Sequence, residues 1–127
     1  MPVPKTIEQL ENDFWPDPDS DSYVVQTCHQ LRKKPLAEFE VEDLRILIGQ
    51  NIGLTYLIPM ALDVLNKNVL AEGHLYPGDL LKAVMTSDTT YWQQEPKNLI
   101  VLKELIEQNK DLLKSEDESL YQIGKAL

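Results

Sequence analysis

Apolar residues in this chain recur at intervals of three and four within short segments, and a proline, a glycine or a capping residue closes each segment before the next begins. Strict alternation, the mark of a half-buried strand, is almost absent, so the pattern predicts an all-α fold of about six to eight short helices. Thr6 and Gln9 have the spacing of a capping box and open a helix with Ile7 and Leu10 that must stop before Pro16. The stretch WPDPDSDS, 15–22, reads as a loop. From about Ser22, Val24, Cys28 and Leu31 form one apolar stripe, and Arg32, Lys33 and Lys34 suit the negative end of the helix dipole before Pro35 closes it.

Glu42 and Asp43 mark the acidic first turn of a third helix through Leu44, Ile46, Leu47 and Ile48. A corner at Gly49–Gly53 follows, and then a central helix carrying Leu54, Leu57, Ile58, Ala61, Leu62 and Leu65. Pro59 should lie in the first turn of that helix or kink it, because it lacks a backbone donor. Residues 66–77 read as a loop, and Gly78-Asp79 starts a helix running to Met85. Tyr91 and Trp92 occupy the segment 89–95, and Pro96 opens a long helix with Leu99, Leu102, Ile106 and Leu113 on one stripe. Ser115 and Glu118 have capping-box spacing ahead of a terminal helix with Leu120, Tyr121 and Ile123. No segment repeats another and no linker is long enough to separate domains, so a single compact domain over 1–127 is expected.

Charge narrows the function classes. The 127 residues hold 21 acids against 12 Lys and Arg, for a formal net charge of −9. Gripping a phosphate backbone or an anionic membrane takes clustered cations, so neither nucleic acid nor a membrane is expected as a partner. The longest nearly unbroken apolar run, Tyr56 to Leu62, is far short of the ~20 residues that cross a bilayer. With no apolar leader in MPVPKTIEQL and a single cysteine, Cys28, a soluble cytoplasmic protein without disulfides is expected. The acid is unevenly spread: residues 1–21 carry six acids against Lys5, and residues 37–44 carry four acids and no base.

No motif supports catalysis or a cofactor. Asp17, Asp19 and Asp21 are spaced like the first ligands of a calcium loop, but Ser22 stands where the turn needs glycine and Cys28 where a bidentate Glu belongs. A solvated acidic loop is the favoured reading. Cys28 and His29 are adjacent, so on a helix they point ~100° apart and form no dyad; with His74 they are the only three N or S ligands of the three or four zinc needs, and they have no paired spacing. Gly49 and Gly53 make a GxxxG spacing better read as a corner, and no glycine cluster precedes Lys-Ser or Lys-Thr as a phosphate loop would. Trp15 and Tyr76 lie in loops beside prolines and acids, a setting in which an aromatic ring can serve as an interface anchor.

The middle of the chain resembles a known family. DLRILIGQNIGLTYLIPMALDVLNKNVLAEGHLYPGDLLKAVM, residues 43–85, and its approach DSYVVQTCHQLRKKPLAEFEVEDL, residues 21–44, are similar to the immunity proteins of bacterial contact-dependent growth inhibition (CDI) systems. The words that carry the resemblance stand in order: Ser22-Tyr23, Cys28-His29-x-Leu31-Arg32, Lys34-Pro35-Leu36, Val41-Glu42-Asp43-Leu44-Arg45, Gly49-Gln50-x-x-Gly53-Leu54, Pro59-x-Ala61-Leu62, Leu70-Ala71-Glu72-Gly73, Tyr76 and Gly78-Asp79-Leu80-Leu81. Val69 replaces an expected proline and His74 an expected acid, and the final 35 residues match no motif of the family. The resemblance implies a non-enzymatic inhibitor that binds the C-terminal toxin domain delivered by a neighbouring cell, with no small-molecule substrate. A nuclease toxin, preferably one acting on RNA, would offer a basic cleft that an acidic partner can fill. The expected contact set is Trp15, Asp17, Asp19 and Asp21, joined by Glu38, Glu40, Glu72 and Tyr76; the alternative is that these carboxylates only solubilise the domain. The competing reading of the whole chain is a helical adaptor for some other basic protein.

Overall fold

In the computed structural model, which describes residues 5–127, the chain is all-helical. Nine α-helices appear among the described residues: α1 Ile7–Glu11, α2 Tyr23–Arg32, α3 Val41–Gly49, α4 Leu54–Lys67, α5 Asp79–Met85, α6 Thr89–Gln94, α7 Pro96–Gln108, α8 Lys110–Glu116 and α9 Glu118–Lys125, with a 3-10 turn at Leu36–Glu38. The only strand-like pairing among them is an isolated antiparallel bridge between Glu72 and Pro77. Residues 1–4, which fall within the expected domain, lie outside the described residues.

The chemistry of the helix ends explains most of the boundaries. Thr6 accepts from the Gln9 amide at 3.2 Å while the Gln9 side chain takes the Thr6 amide at 3.0 Å, completing the expected box. Asn12, in the left-handed region at φ 52°, ends α1. Ser22 caps α2, and Asp43 takes the Glu40 amide at 2.9 Å to set the start of α3. The corner before α4 runs through Asn51 and Gly53, both left-handed. A Cβ at Gly53 would also stand 3.0 Å from Ile7 Cδ1, a tight contact added to the strain of a left-handed backbone.

The core is formed chiefly by α3, α4 and α5, with α7 and α9 closing one side. Leu57, Ile58 and Ala61 of α4 are fully buried, as are Leu47 and Ile48 of α3 and Leu80, Leu81 and Val84 of α5. Each large aliphatic side chain so enclosed contributes about 1.5–3 kcal/mol. Pro59 sits in the second turn of an unbroken α4, neither in the first turn nor at a break. Both it and Thr55, whose carbonyl loses a donor, are on the exposed side, where water can take the bond.

Three expectations about single segments need correction, and the nine α-helices among the described residues exceed the expected six to eight. Val24, placed on the buried stripe of α2, is 40% exposed, because the first turn of that helix projects past the core. The expected long helix 96–113 is two helices: the Asn109 side chain donates to the Leu105 carbonyl at 2.8 Å, and its backbone leaves helical geometry at ψ 17°. Ser115 does not cap the last helix, since it lies inside α8; Asp117 does so by accepting from the Leu120 amide at 3.2 Å. The segment 89–95 contains a short helix of its own, α6, which buries Tyr91 and Trp92 and lets the Trp92 indole donate to Ser87 Oγ at 2.9 Å.

Candidate functional site

Residues 13–22 form an extended strap that runs antiparallel along α2, and the helix holds it by its carbonyl oxygens. From one end to the other, Arg32 donates to the Asp13 carbonyl, Lys33 Nζ lies 3.4 Å from that of Trp15, His29 Nδ1 3.0 Å from that of Pro16, and Gln26 Nε2 donates to that of Ser20 at 2.7 Å. Trp15 is half-buried as the fastening point. Its ring lies under the Arg32 guanidinium, 4.1 Å from the centroid, and 4.9 Å from the His29 ring, while its Nε1 donates to Asp13. Trp15, expected as an interface anchor, is partly exposed and engages both its ring and its indole N–H within the chain.

With the strap's carbonyls turned to α2, Asp17, Asp19 and Asp21 remain exposed. Beyond the strap, Lys34 binds Asp43 at 2.7 Å, and that hydrogen bond, with the nearby charges of Glu40 and Glu38, raises the lysine pKa above its usual value. Glu38 and Glu40 are themselves exposed. Among the described residues none of Asp17, Asp19, Asp21, Glu38, Glu40 or Glu72 takes part in an ion pair, whereas Glu8, Glu11, Glu42, Asp43 and Asp79 all do. The same residues gather no group of three or more His, Cys, Asp and Glu side chains fit to hold a metal.

A third group of charges, which sequence reasoning passed over, organises the loop between α4 and α5. Glu42 on α3 and Asp79 on α5 are buried, and their carboxylates take the backbone N–H groups of the loop: Gly73 to Asp79 at 2.7 Å, His74 to Glu42 at 2.9 Å and Leu75 to Asp79 at 3.0 Å. Arg45 closes the arrangement with two bonds of 2.6 Å to Glu42 and an approach of 3.7 Å to Asp79. The Arg45 bonds, resisted by burial and helped by the His74 amide, hold the Glu42 carboxyl below its ordinary pKa. Gly73 follows from this geometry, since a Cβ there would meet Glu42 Oε1 at 2.5 Å. The visible hint was an acid-rich helix start at 42–43 with an arginine one turn on, matched by a Gly-Asp helix start at 78–79.

This clamp displays Glu72, His74 and Leu75 at the surface and leaves Tyr76 half-buried. Tyr76 and Leu75 line a shallow groove of about 220 Å³ with Arg45, Lys82 and Thr86. The expected contact residues thus fall into separate places: Asp17, Asp19 and Asp21 along α2, Glu38 and Glu40 around Lys34, and Glu72 with Tyr76 on the clamped loop. Cys28 is buried, which raises its thiol pKa, and His29 is occupied by the strap.

Fold and surface together define a helical protein whose buried charges are engaged by its own loops and whose unpaired acids face outward. Residues 9–102 match the family of CDI immunity proteins, and the chain belongs to that family, whose members neutralise a toxin. No curated protein and no solved structure matches it. The family match ends within α7, leaving the rest of that helix, α8 and α9 outside it.

Proposed function

We propose that residues 1–127 act as one cytoplasmic domain that binds the C-terminal domain of its cognate CDI toxin, a nuclease of the RNA-cleaving kind, and blocks that enzyme's basic cleft. The observation that supports this reading is the division of labour among the acids. The buried ones are neutralised internally, while Asp17, Asp19, Asp21, Glu38, Glu40 and Glu72 are among the many exposed acids that stand outside every ion pair of the described residues, and the first five crowd the amino-terminal third. Unpaired surface carboxylates add to the field that steers a basic partner into contact, and on contact they can take the place of the phosphates that the partner's cleft was built for. Tyr76 joins this set as a half-buried ring on a rigid loop. Trp15 contributes by positioning the strap. Inhibition needs no chemistry from the chain itself, and neither nucleic acid nor a small molecule is its ligand.

The test is an RNA-cleavage assay with the purified cognate toxin domain. A stoichiometric amount of this chain should abolish cleavage, and a competing RNA should slow formation of the complex. A toxin domain that binds this chain and still cleaves RNA at full rate would exclude occlusion, and one with no activity on RNA would exclude that substrate.

A further inference from the structure

The first turn of α2 is a run of three exposed apolar residues: Tyr23 is 68% exposed, Val24 40% and Val25 38%. Side chains of this size on consecutive positions are avoided at a solvated surface unless something covers them. Local need does not account for them. The helix is already capped by Ser22, whose Oγ receives the Val25 amide, and the strap is held by residues further along, at Gln26, His29, Arg32 and Lys33. The core is reached only from Cys28 onward. The turn therefore projects as an apolar knob on a fixed backbone.

Its collar says what would cover it. Asp21 stands two residues before the knob and Asp19 four, while Asp17 lies further along the strap beside Gln26, His29 and Lys33, all three aspartates exposed and in no ion pair of the described residues. An apolar knob flanked by an acidic strap fits a partner surface with the converse pattern, an apolar recess with Lys and Arg along one side. We propose that Tyr23, with Val24 and Val25 beside it, is the anchor that inserts into such a recess on the toxin domain, while Asp17, Asp19 and Asp21 form the steering rim. This rests on the toxin-binding reading given above and adds to it the residues that hold the complex once formed.

The two roles separate kinetically. A rim charge acts mainly on association, whereas a desolvated aromatic anchor acts mainly on dissociation. Tyr23→Ala and Val24→Ser, measured against the purified toxin domain by surface binding kinetics, should each leave association within about twofold and speed dissociation by about tenfold or more for the tyrosine. Leu112→Ser, at another exposed apolar position 43% accessible on α8, should change neither rate. The melting temperatures of all three should stay at the wild-type value, so that a lost anchor is not confused with a lost fold. If Tyr23→Ala dissociates at the wild-type rate while reversal of the aspartates slows association, the anchor is overturned and toxin binding stands. If the wild-type chain does not bind the toxin domain, the toxin reading fails and the anchor with it. Sedimentation completes the test: a wild-type dimer that Tyr23→Ala converts to monomer would assign the knob to a second copy of this chain and overturn the proposal.

Discussion

Arg32, 1% exposed, holds its guanidinium 4.1 Å from the centroid of the Trp15 ring, and this contact fastens the strap to α2. The same guanidinium pairs with Glu11 at the end of α1 and donates to the Asp13 carbonyl, while its Nε has no partner. A buried cation with one orphaned donor is costly to isolate, but replacing the whole group by an apolar one of similar volume costs little.

Removing either side of that pair should therefore have unequal effects. Glu11→Ala leaves the charge of Arg32 buried and should cost about 2–4 kcal/mol, whereas Arg32→Met, which keeps the volume and the packing on Trp15, should cost about 1–2 kcal/mol at most. Urea unfolding of the two variants measures the difference. Equal losses would mean that the ion pair, rather than the buried charge, carries the energy.

Gly73 and Gly49 make a contrasting pair. Gly73→Ala drives a methyl to within 2.5 Å of Glu42 Oε1 and 3.2 Å of Asp79 Oδ2, so the clamp must open. A loss of about 1–3 kcal/mol is expected. Gly49, the last residue of α3, has nothing within 4 Å of a built Cβ, and Gly49→Ala should stabilise by about 0.4–1 kcal/mol through the unfolded chain. Thermal melts that moved in the same direction for both would contradict this contrast.

Glu42 gives the fold a defined acid sensitivity. Its native carboxyl titrates below the ordinary 4.5, because of Arg45 first and the His74 amide after it, with burial opposing them. A depressed carboxylate contributes stability that is complete above the unfolded value and is lost as pH falls through the native one. Wild type should thus exceed Glu42→Gln in stability at neutral pH by about 2–3 kcal/mol, and the gap should narrow as pH drops below 4.5. A gap constant down to pH ~2 would show that the clamp depends on shape rather than on charge.

Much of the fold was legible because helices are local. The stripe Leu57, Ile58, Ala61, Leu62 and Leu65 is buried as its spacing predicts, and Leu57→Ala should cost about 2–5 kcal/mol in a melt or urea titration. The break at Asn109 was hidden because an apolar stripe continues across it to Leu113, and it is marked only by a side-chain bond from Asn109 to the Leu105 carbonyl. The site was far less legible. Glu42 meets the His74 amide across 32 residues of sequence, and a buried acid has the same letter as a solvating one. In space, two words of the family pattern, Val41 to Arg45 and Gly78 to Leu81, are the two halves of one clamp on the loop between Leu70 and Tyr76. The internal contacts of Trp15 were hidden for a related reason: a loop beside prolines offers no clue that Arg32 and His29, more than a dozen residues on, will pack against its ring.

The response of the complex to salt and charge reversal tests the acidic surface as a whole. Asp17, Asp19, Asp21, Glu38 and Glu40 are exposed and in no ion pair of the described residues, so changing the five to Lys should leave the helical fold intact by circular dichroism, at some cost in melting temperature because Glu40 caps α3 and both glutamates stand near Lys34. If they face a basic toxin, reversal should slow association by an order of magnitude or more, because steering depends on summed charge. For the wild type, raising ionic strength from about 0.05 to about 0.5 M shortens the screening length from over ~10 Å to under ~5 Å, so association should slow while dissociation changes less. The reversed chain should show a flat or inverted salt response. Stopped-flow association with the purified toxin domain across that range decides the matter: a folded, reversed chain that associates at the wild-type rate at every salt concentration would place the binding face elsewhere, and the groove beside Leu75 and Tyr76 would be the next surface to reverse.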